Sequence, residues 1–191
     1  ADKALREYRI LRALRERGIE SPEPVAWARE SGSTYLFTRE IPGARTLRSV
    51  PLTRALALDL GRFVRRLLDA GLRDDDLHIG NVLLADGKLH VIDLHRAALR
   101  DALTDGERTA SVAFVLLSLA PFVSRSDALR FVRACGVDPC VVDRDFRAVR
   151  LRYWRDRESR VRKSGSDFEV SGDLVLRRPF AEAEARRLLD A

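Results

Sequence analysis

Residues 71–97, GLRDDDLHIGNVLLADGKLHVIDLHRA, align an Asp, an Asn five positions on, two short apolar runs either side of an Asp-Gly pair, and a further Asp. These are Asp76, Asn81, residues 82–84, Asp86-Gly87, residues 89–92 and Asp93. Aliphatic and β-branched runs flanking Asp-Gly predict a β-hairpin. Pairing its strands brings Asn81 and Asp93 to the same end, and Asp76 precedes them in a polar loop near enough to point at the same spot. Oxygen donors so grouped suit magnesium, which takes one or two carboxylates together with phosphate and water oxygens. An acceptor hydroxyl needs a nearby carboxylate to orient it and take its proton. Asn81 and Asp93 are therefore the candidate metal ligands, and Asp76 the candidate catalytic carboxylate, of a phosphotransferase-like site for a nucleotide triphosphate. An ordinary polar turn before a hairpin uses similar residue types, but Asn81 is the only Asn in the chain and falls at the required spacing.

This order resembles the catalytic loop and metal-binding Asp of the protein-kinase-like superfamily, whose pattern is His-Arg-Asp, four residues, Asn, then Asp-Phe-Gly. More narrowly, DLHIGNVLL followed by VIDLHRA is similar to the lipopolysaccharide kinase family, which phosphorylates Kdo or heptose in the inner core of bacterial lipopolysaccharide. Two departures stand out. Asp74 occupies the place of the loop His, and Leu94-His95 replace Phe-Gly, which removes the Phe-Gly switch and suits the small-molecule and sugar kinase branches. The resemblance implies an α+β fold with a partial small lobe and hinge over residues 1–43 and a mainly helical large lobe over residues 44–191. It also implies transfer of the γ-phosphoryl group from magnesium-ATP to a sugar or glycolipid acceptor, in the cytoplasm or peripherally at the inner membrane. Asp74, His78 and His95 are candidate loop supports, with Asp74 expected to anchor the loop through an Arg and Asp75 expected to be exposed.

Ahead of the loop, residues 1–17 have helical spacing and Gly18 as a stop. ALREYRILRALRERGIESPEPVAWA resembles the family's small-lobe helix, which implies that Glu7 pairs with a Lys on a preceding strand. That strand and the Gly-rich loop before it are not in this sequence. Lys3, one turn from Glu7, would give only an i,i+4 surface pair. Residues 25–29 and 34–38 read as strands about Ser31-Gly32-Ser33. The following Thr38-Arg39-Glu40-Ile41-Pro42-Gly43 resembles a kinase hinge, in which backbone near Glu40 and Ile41 meets an adenine edge and Thr38 lines the back of the pocket. A plain strand leaving through a Pro-Gly turn reads equally well from these residues alone. Residues 52–70 form an amphipathic helix with Leu56, Leu60, Phe63, Val64, Leu67 and Leu68 on its apolar face.

Beyond Asp93, residues 105–119, 124–135 and 139–160 read as helices. Val112, Phe114, Val115, Leu116 and Leu119 are expected in the core; Tyr153 and Trp154 suit either a cover for a glycolipid or a place closing the core, and the core is the expectation. A hairpin over residues 168–170 and 174–176, turning at Gly172-Asp173, precedes a last helix from Pro179 to Ala191.

A chain of 191 residues with 46% hydrophobic residues can bury a sizeable core. The most apolar stretch, residues 110–123, is too short to span a bilayer and reads as a buried helix. Cys135 and Cys140 lack the spacing partners of a zinc or disulfide framework and read as free thiols of a reducing compartment. The net charge of +6 rests almost wholly on Arg, with Lys3, Lys88 and Lys163 the only lysines. That balance suits an acidic partner such as a phosphorylated glycolipid or an anionic membrane surface, although a GC-rich genome also favours Arg. Basic residues interleaved with acids, without an aromatic-rich motif, argue against nucleic acid. Met is absent even at position 1, so the chain is expected not to be a complete translation product.

Two other readings remain open on the sequence. One is a pseudokinase-like binding module, catalytically inactive. The other is a metal-dependent hydrolase using His78, His95, Asp76 and Asp93.

Overall fold

The computed structural model describes residues 2–161, 168–171 and 174–177. Its helices are α1 (Lys3–Glu16), α2 (Arg54–Asp69), α3 (Asp105–Leu119), α4 (Arg125–Ala134) and α5 (Pro139–Val161). Its strands are β1 (Pro24–Glu30), β2 (Ser33–Thr38), β3 (Arg45–Thr46), β4 (Leu72–Arg73), β5 (Val82–Ala85), β6 (Lys88–Val91), β7 (Ala98–Leu99), β8 (Phe168–Ser171) and β9 (Leu174–Arg177). Two compact units result, Ala1–Arg147 and Ala148–Ala191.

In the first unit, capping fixes where the helices begin. Asp2, Thr53, Thr104 and Ser124 each accept a backbone N–H of the first turn with a side-chain oxygen, and Thr104 with Glu107 completes a capping box. α2 buries Leu60, Phe63, Val64, Leu67 and Leu68, each contributing about 1.5–3 kcal/mol by leaving water. Phe131 and Val132 of α4, with Val112, Val115 and Leu119 of α3, complete this core, whereas Phe114 and Leu116 are only half-buried. Gly61 lets α2 and α4 approach closely: a Cβ there would lie 2.6 Å from both the Ala134 Cβ and the Phe131 carbonyl oxygen.

The hairpin expected from residues 82–92 forms as β5 and β6, paired antiparallel with Val82 opposite Val91 and Ala85 opposite Lys88. Asp86 and Gly87 both take positive φ (48° and 72°), the conformation a two-residue hairpin turn requires. β3 pairs with β5, Arg45 opposite Leu84, so the segment that follows Gly43 is hydrogen-bonded to the hairpin flanked by Asn81 and Asp93. β4 pairs with β7, and Arg100 N–H donates to the Gly71 carbonyl (2.9 Å). These two-residue ladders were not foreseen from the sequence.

α1 packs on the hairpin of β1 and β2 and is tied to α2 by arginines. Arg17 donates to the Ala70 carbonyl (2.9 Å), while Arg66 donates to the Gly18 carbonyl and pairs with Glu20 at 2.9 Å. The helix bearing Glu7 is thereby clamped to the large helical body.

In the second unit, β8 and β9 pair antiparallel, Phe168 opposite Arg177. Gly172-Asp173 and residues 179–191 lie outside the described residues. Trp154 is 59% exposed, which corrects its expected place in the core. α5 is polar nearly all round, and its apolar residues do not gather on one face that could bury the indole. Trp154 instead meets Tyr153 edge-on, with ring centroids 5.5 Å apart, and the Arg157 guanidinium lies over the Tyr153 ring.

Gly61→Ala is expected to cost about 1–3 kcal/mol by overpacking. Gly71→Ala should cost more, because its Cβ would lie 1.9 Å from the Arg100 carbonyl oxygen at a backbone φ of +77°. Urea unfolding checks both, and a Gly71→Ala protein as stable as the wild type would contradict this packing.

Candidate active site

Asp74, Asp75 and Asp76 follow β4, and each carboxylate meets a different donor. Asp74 is 3% exposed, and its Oδ1 accepts the Asp76 N–H (2.9 Å). The expectation that an Arg anchors Asp74 is therefore corrected. The loop is closed by its own backbone, a short-range bond that an Asp two residues back reaches without help. Arg73 pairs instead with the exposed Asp75 (3.5 Å) and with Glu107 (3.9 Å). Asp76 is one-third exposed, and its Oδ2 lies 3.6 Å from Arg96 Nη1.

Asp74 Oδ2 is buried without a hydrogen-bond partner. Burial raises the Asp74 carboxyl from 3.8 to about 6; the Asp76 N–H opposes this rise, and the charges of Asp76, Asp75 and Asp93 add to it.

The loop then turns through a short 3-10 segment, Ile79–Asn81. His78 Nδ1 accepts the Gly80 N–H (3.0 Å), and Ser118 Oγ on α3 accepts the Ile79 N–H (3.1 Å). Asn81 is buried. Its Nδ2 donates to the Asp76 carbonyl (3.2 Å), and its own carbonyl accepts the Ile92 N–H (3.0 Å). One residue thus joins the base of the Asp76 loop to the segment between β6 and Asp93, with its Oδ1 left as an acceptor.

Asp93 has φ 59°, a left-handed conformation that Asp tolerates better than most residues. Its carboxylate is half exposed and hydrogen-bonds through Oδ1 to His95 Nδ1. Leu94 is fully buried, and its N–H donates to Glu7 Oε1 (2.8 Å) across 87 residues of sequence. Glu7 reaches the turn at Asp93 rather than pairing with Lys3 along α1. Burial holds its carboxyl above the usual carboxylate range, the Leu94 N–H pulls it down, and the neighbouring Asp93 charge adds to the rise.

Asn81 and Asp93 offer oxygen donors, the kind that suits magnesium. The arrangement does not fit a hydrolase centre of imidazoles and carboxylates. Among the described residues no group of three or more His, Cys, Asp or Glu side chains is placed to hold a metal.

Thr38 ends β2 and is exposed, as is Glu40, and Ile41 is half-buried. The Ile41 carbonyl accepts the Ala44 N–H (3.2 Å), whereas the Glu40 carbonyl and the Ile41 amide make no backbone hydrogen bond among the described residues. Among the described residues these three share no hydrogen bond or ion pair with the Asp76 loop, and the β3–β5 ladder ties the segment after them to the hairpin.

Sequence reasoning assigned no part to Ser118 or Arg96. Ser118 had no local motif, and Arg96 was one Arg among many.

The family model for the lipopolysaccharide kinase (Kdo/WaaP) family matches residues 1–134. The chain belongs to that family. A 3-deoxy-D-manno-octulosonic acid kinase of Vibrio cholerae is 31% identical over 103 residues, which cover 49% of this chain and 44% of that protein. The lipopolysaccharide core heptose(I) kinase WaaP of Pseudomonas aeruginosa is 31% identical over 156 residues, covering 68% and 58%. The chain spans about half the length of the curated relatives it matches.

A solved structure of WaaP in complex with acyl carrier protein superposes with a TM-score of 0.59 at 28% identity, covering 82% of this chain and 75% of that one. The Rio2 kinase of Chaetomium thermophilum, at 21% identity and a TM-score of 0.51, shares the fold. The expected α+β, protein-kinase-like architecture is the one observed. In this family member Leu94, held by Glu7, fills the position that Phe takes in the protein-kinase pattern.

Because its folded-state pKa is raised, ionised Asp74 costs stability. The cost is absent below 3.8 and is felt in full above about 6. Asp74→Asn keeps the acceptor for the Asp76 N–H, so it should stabilise the protein at pH 8 by on the order of 1–2 kcal/mol. At pH 4 it should change little. Thermal unfolding at the two pH values checks this, and an equal effect at both would contradict it.

Proposed function

We propose that the protein is a phosphotransferase that moves the γ-phosphoryl group of magnesium-ATP to a sugar hydroxyl, of a lipopolysaccharide core (Kdo or heptose) or a similar glycolipid. The observation that carries this reading is the junction at Asn81, whose side chain and carbonyl bind the Asp76 loop and the strand leading to Asp93. That the Vibrio cholerae relative is a 3-deoxy-D-manno-octulosonic acid kinase and the Pseudomonas aeruginosa relative a heptose(I) kinase supports a sugar acceptor.

In this reading residues 1–43 are a partial small lobe and hinge, and residues 44–191 the large lobe. Asp76 orients the acceptor hydroxyl and takes its proton. Asn81 and Asp93 would hold magnesium, which when bound neutralises charge on the phosphate oxygens. His95 orients the Asp93 carboxylate, and Glu7 holds the Leu94 amide so that the turn at Asp93 keeps its left-handed form. Asp74 and His78 brace the loop from within. The Glu40 carbonyl and Ile41 amide are the hinge groups free to meet an adenine edge, with Thr38 beside them. Positioning and charge neutralisation carry most of such catalysis, and each of these side chains serves one of the two.

No helix among the described residues is long and apolar enough to cross a membrane. A cytoplasmic enzyme that meets its glycolipid acceptor peripherally at the inner membrane accords with the Arg-rich charge.

Asp76→Asn should lower kcat for phosphoryl transfer by roughly 10²–10⁴-fold, the usual range for loss of a general base, with little change in KM for ATP. Unchanged turnover in the variant would remove Asp76 from this role.

A further inference from the structure

We infer that Arg96 is the residue that receives the acceptor's negative charge, selecting a sugar that carries a carboxylate close to the hydroxyl being phosphorylated. The inference rests on the phosphotransferase reading. Asp76 is the carboxylate that meets the acceptor hydroxyl there, and Arg96 Nη1 lies 3.6 Å from its Oδ2.

That separation gives attraction without a hydrogen bond, and among the described residues no hydrogen bond occupies the Arg96 guanidinium. Other arginines near the loop are committed: Arg100 to Glu107 at 2.8 Å, and Arg73 to Asp75 and Glu107. The Arg96 side chain is 55% exposed, while its base is fixed by the fully buried Ala97, whose N–H donates to the Leu94 carbonyl (3.0 Å). A guanidinium anchored at its root and free at its tip is disposed to take a ligand carboxylate in its planar fork.

The surroundings make such a cation necessary for an acidic acceptor. Asp75, Asp76 and Asp93 all present carboxylates at this end of the hairpin, and the nucleotide adds more negative charge. A carboxylate brought to within a few ångströms of Asp76 would be repelled unless a positive group lay between them, and Arg96 is placed to be that group. A neutral sugar would meet no such barrier and would gain nothing from Arg96.

The test compares wild type, Arg96→Gln and Arg96→Lys with saturating magnesium-ATP and two acceptors, a 3-deoxy-D-manno-octulosonic acid glycolipid and its carboxamide. Arg96→Gln should raise KM for the acid by roughly 10–100-fold, as for loss of a charge-assisted hydrogen bond. It should leave KM for the carboxamide and for ATP unchanged, and Arg96→Lys should fall between. Equal losses on both acceptors together with a raised KM for ATP would assign the guanidinium to the γ-phosphate and overturn the inference. No loss on either acceptor would reduce Arg96 to a surface partner of Asp76 and overturn it too. Absence of transfer by the wild type would instead remove the phosphotransferase reading. Calorimetric binding of the acid glycolipid without nucleotide would then judge Arg96 separately: weaker binding in Arg96→Gln sustains the assignment, and equal or absent binding ends it.

Discussion

Negative charge concentrated at one end of a two-stranded hairpin is the constraint around which this fold is arranged. Asp74, Asp75 and Asp76 are adjacent, Asp93 follows the second strand, and Glu7 arrives from α1. Side by side in a partly dry setting these groups repel. The structure gives each its own partner: the Asp76 N–H for Asp74, the charge of Arg73 for Asp75, the charge of Arg96 for Asp76, His95 for Asp93 and the Leu94 N–H for Glu7. Several of those partners are weak or half-exposed, and the cluster retains an excess of negative charge, which is the condition in which a divalent cation bridging to phosphate is most useful.

The scaffold holds that cluster by two independent means. Within the loop, Asn81 and the Asp74 turn fix the backbone locally. From outside, the arginine clamps between the end of α1 and α2 keep Glu7 opposite Leu94, while the close contacts at Gly61 and Gly71 leave α4 and β7 little freedom to shift. Rigid support on both sides is what a site working through positioning requires. It is also why Leu can stand where protein kinases carry the Phe of a mobile switch: Leu94 is fully buried and held through its own amide.

Much of this was legible in the sequence because it is local. The hairpin follows from an Asp-Gly turn between apolar runs, the helices from their spacing and, for the first, its Gly18 stop, and the Asp76–Asn81 relation from a five-residue interval. What escaped reading was non-local or generic. The ladders of β3 with β5 and of β4 with β7 are two residues long and exist only through tertiary pairing. Glu7 meets an amide 87 positions away, so neither helix periodicity nor the nearby Lys3 could name its partner. Arg96 was hidden by the chain's abundance of arginine, and Trp154 misled because a large aromatic on a helix is more often buried than not.

Calorimetric titration of ATP with and without magnesium, into the wild type and Asp93→Ala, decides whether the acidic end of this hairpin is a magnesium-nucleotide site. ATP binding should require magnesium and be lost in Asp93→Ala. ATP binding indifferent both to magnesium and to Asp93 would contradict it.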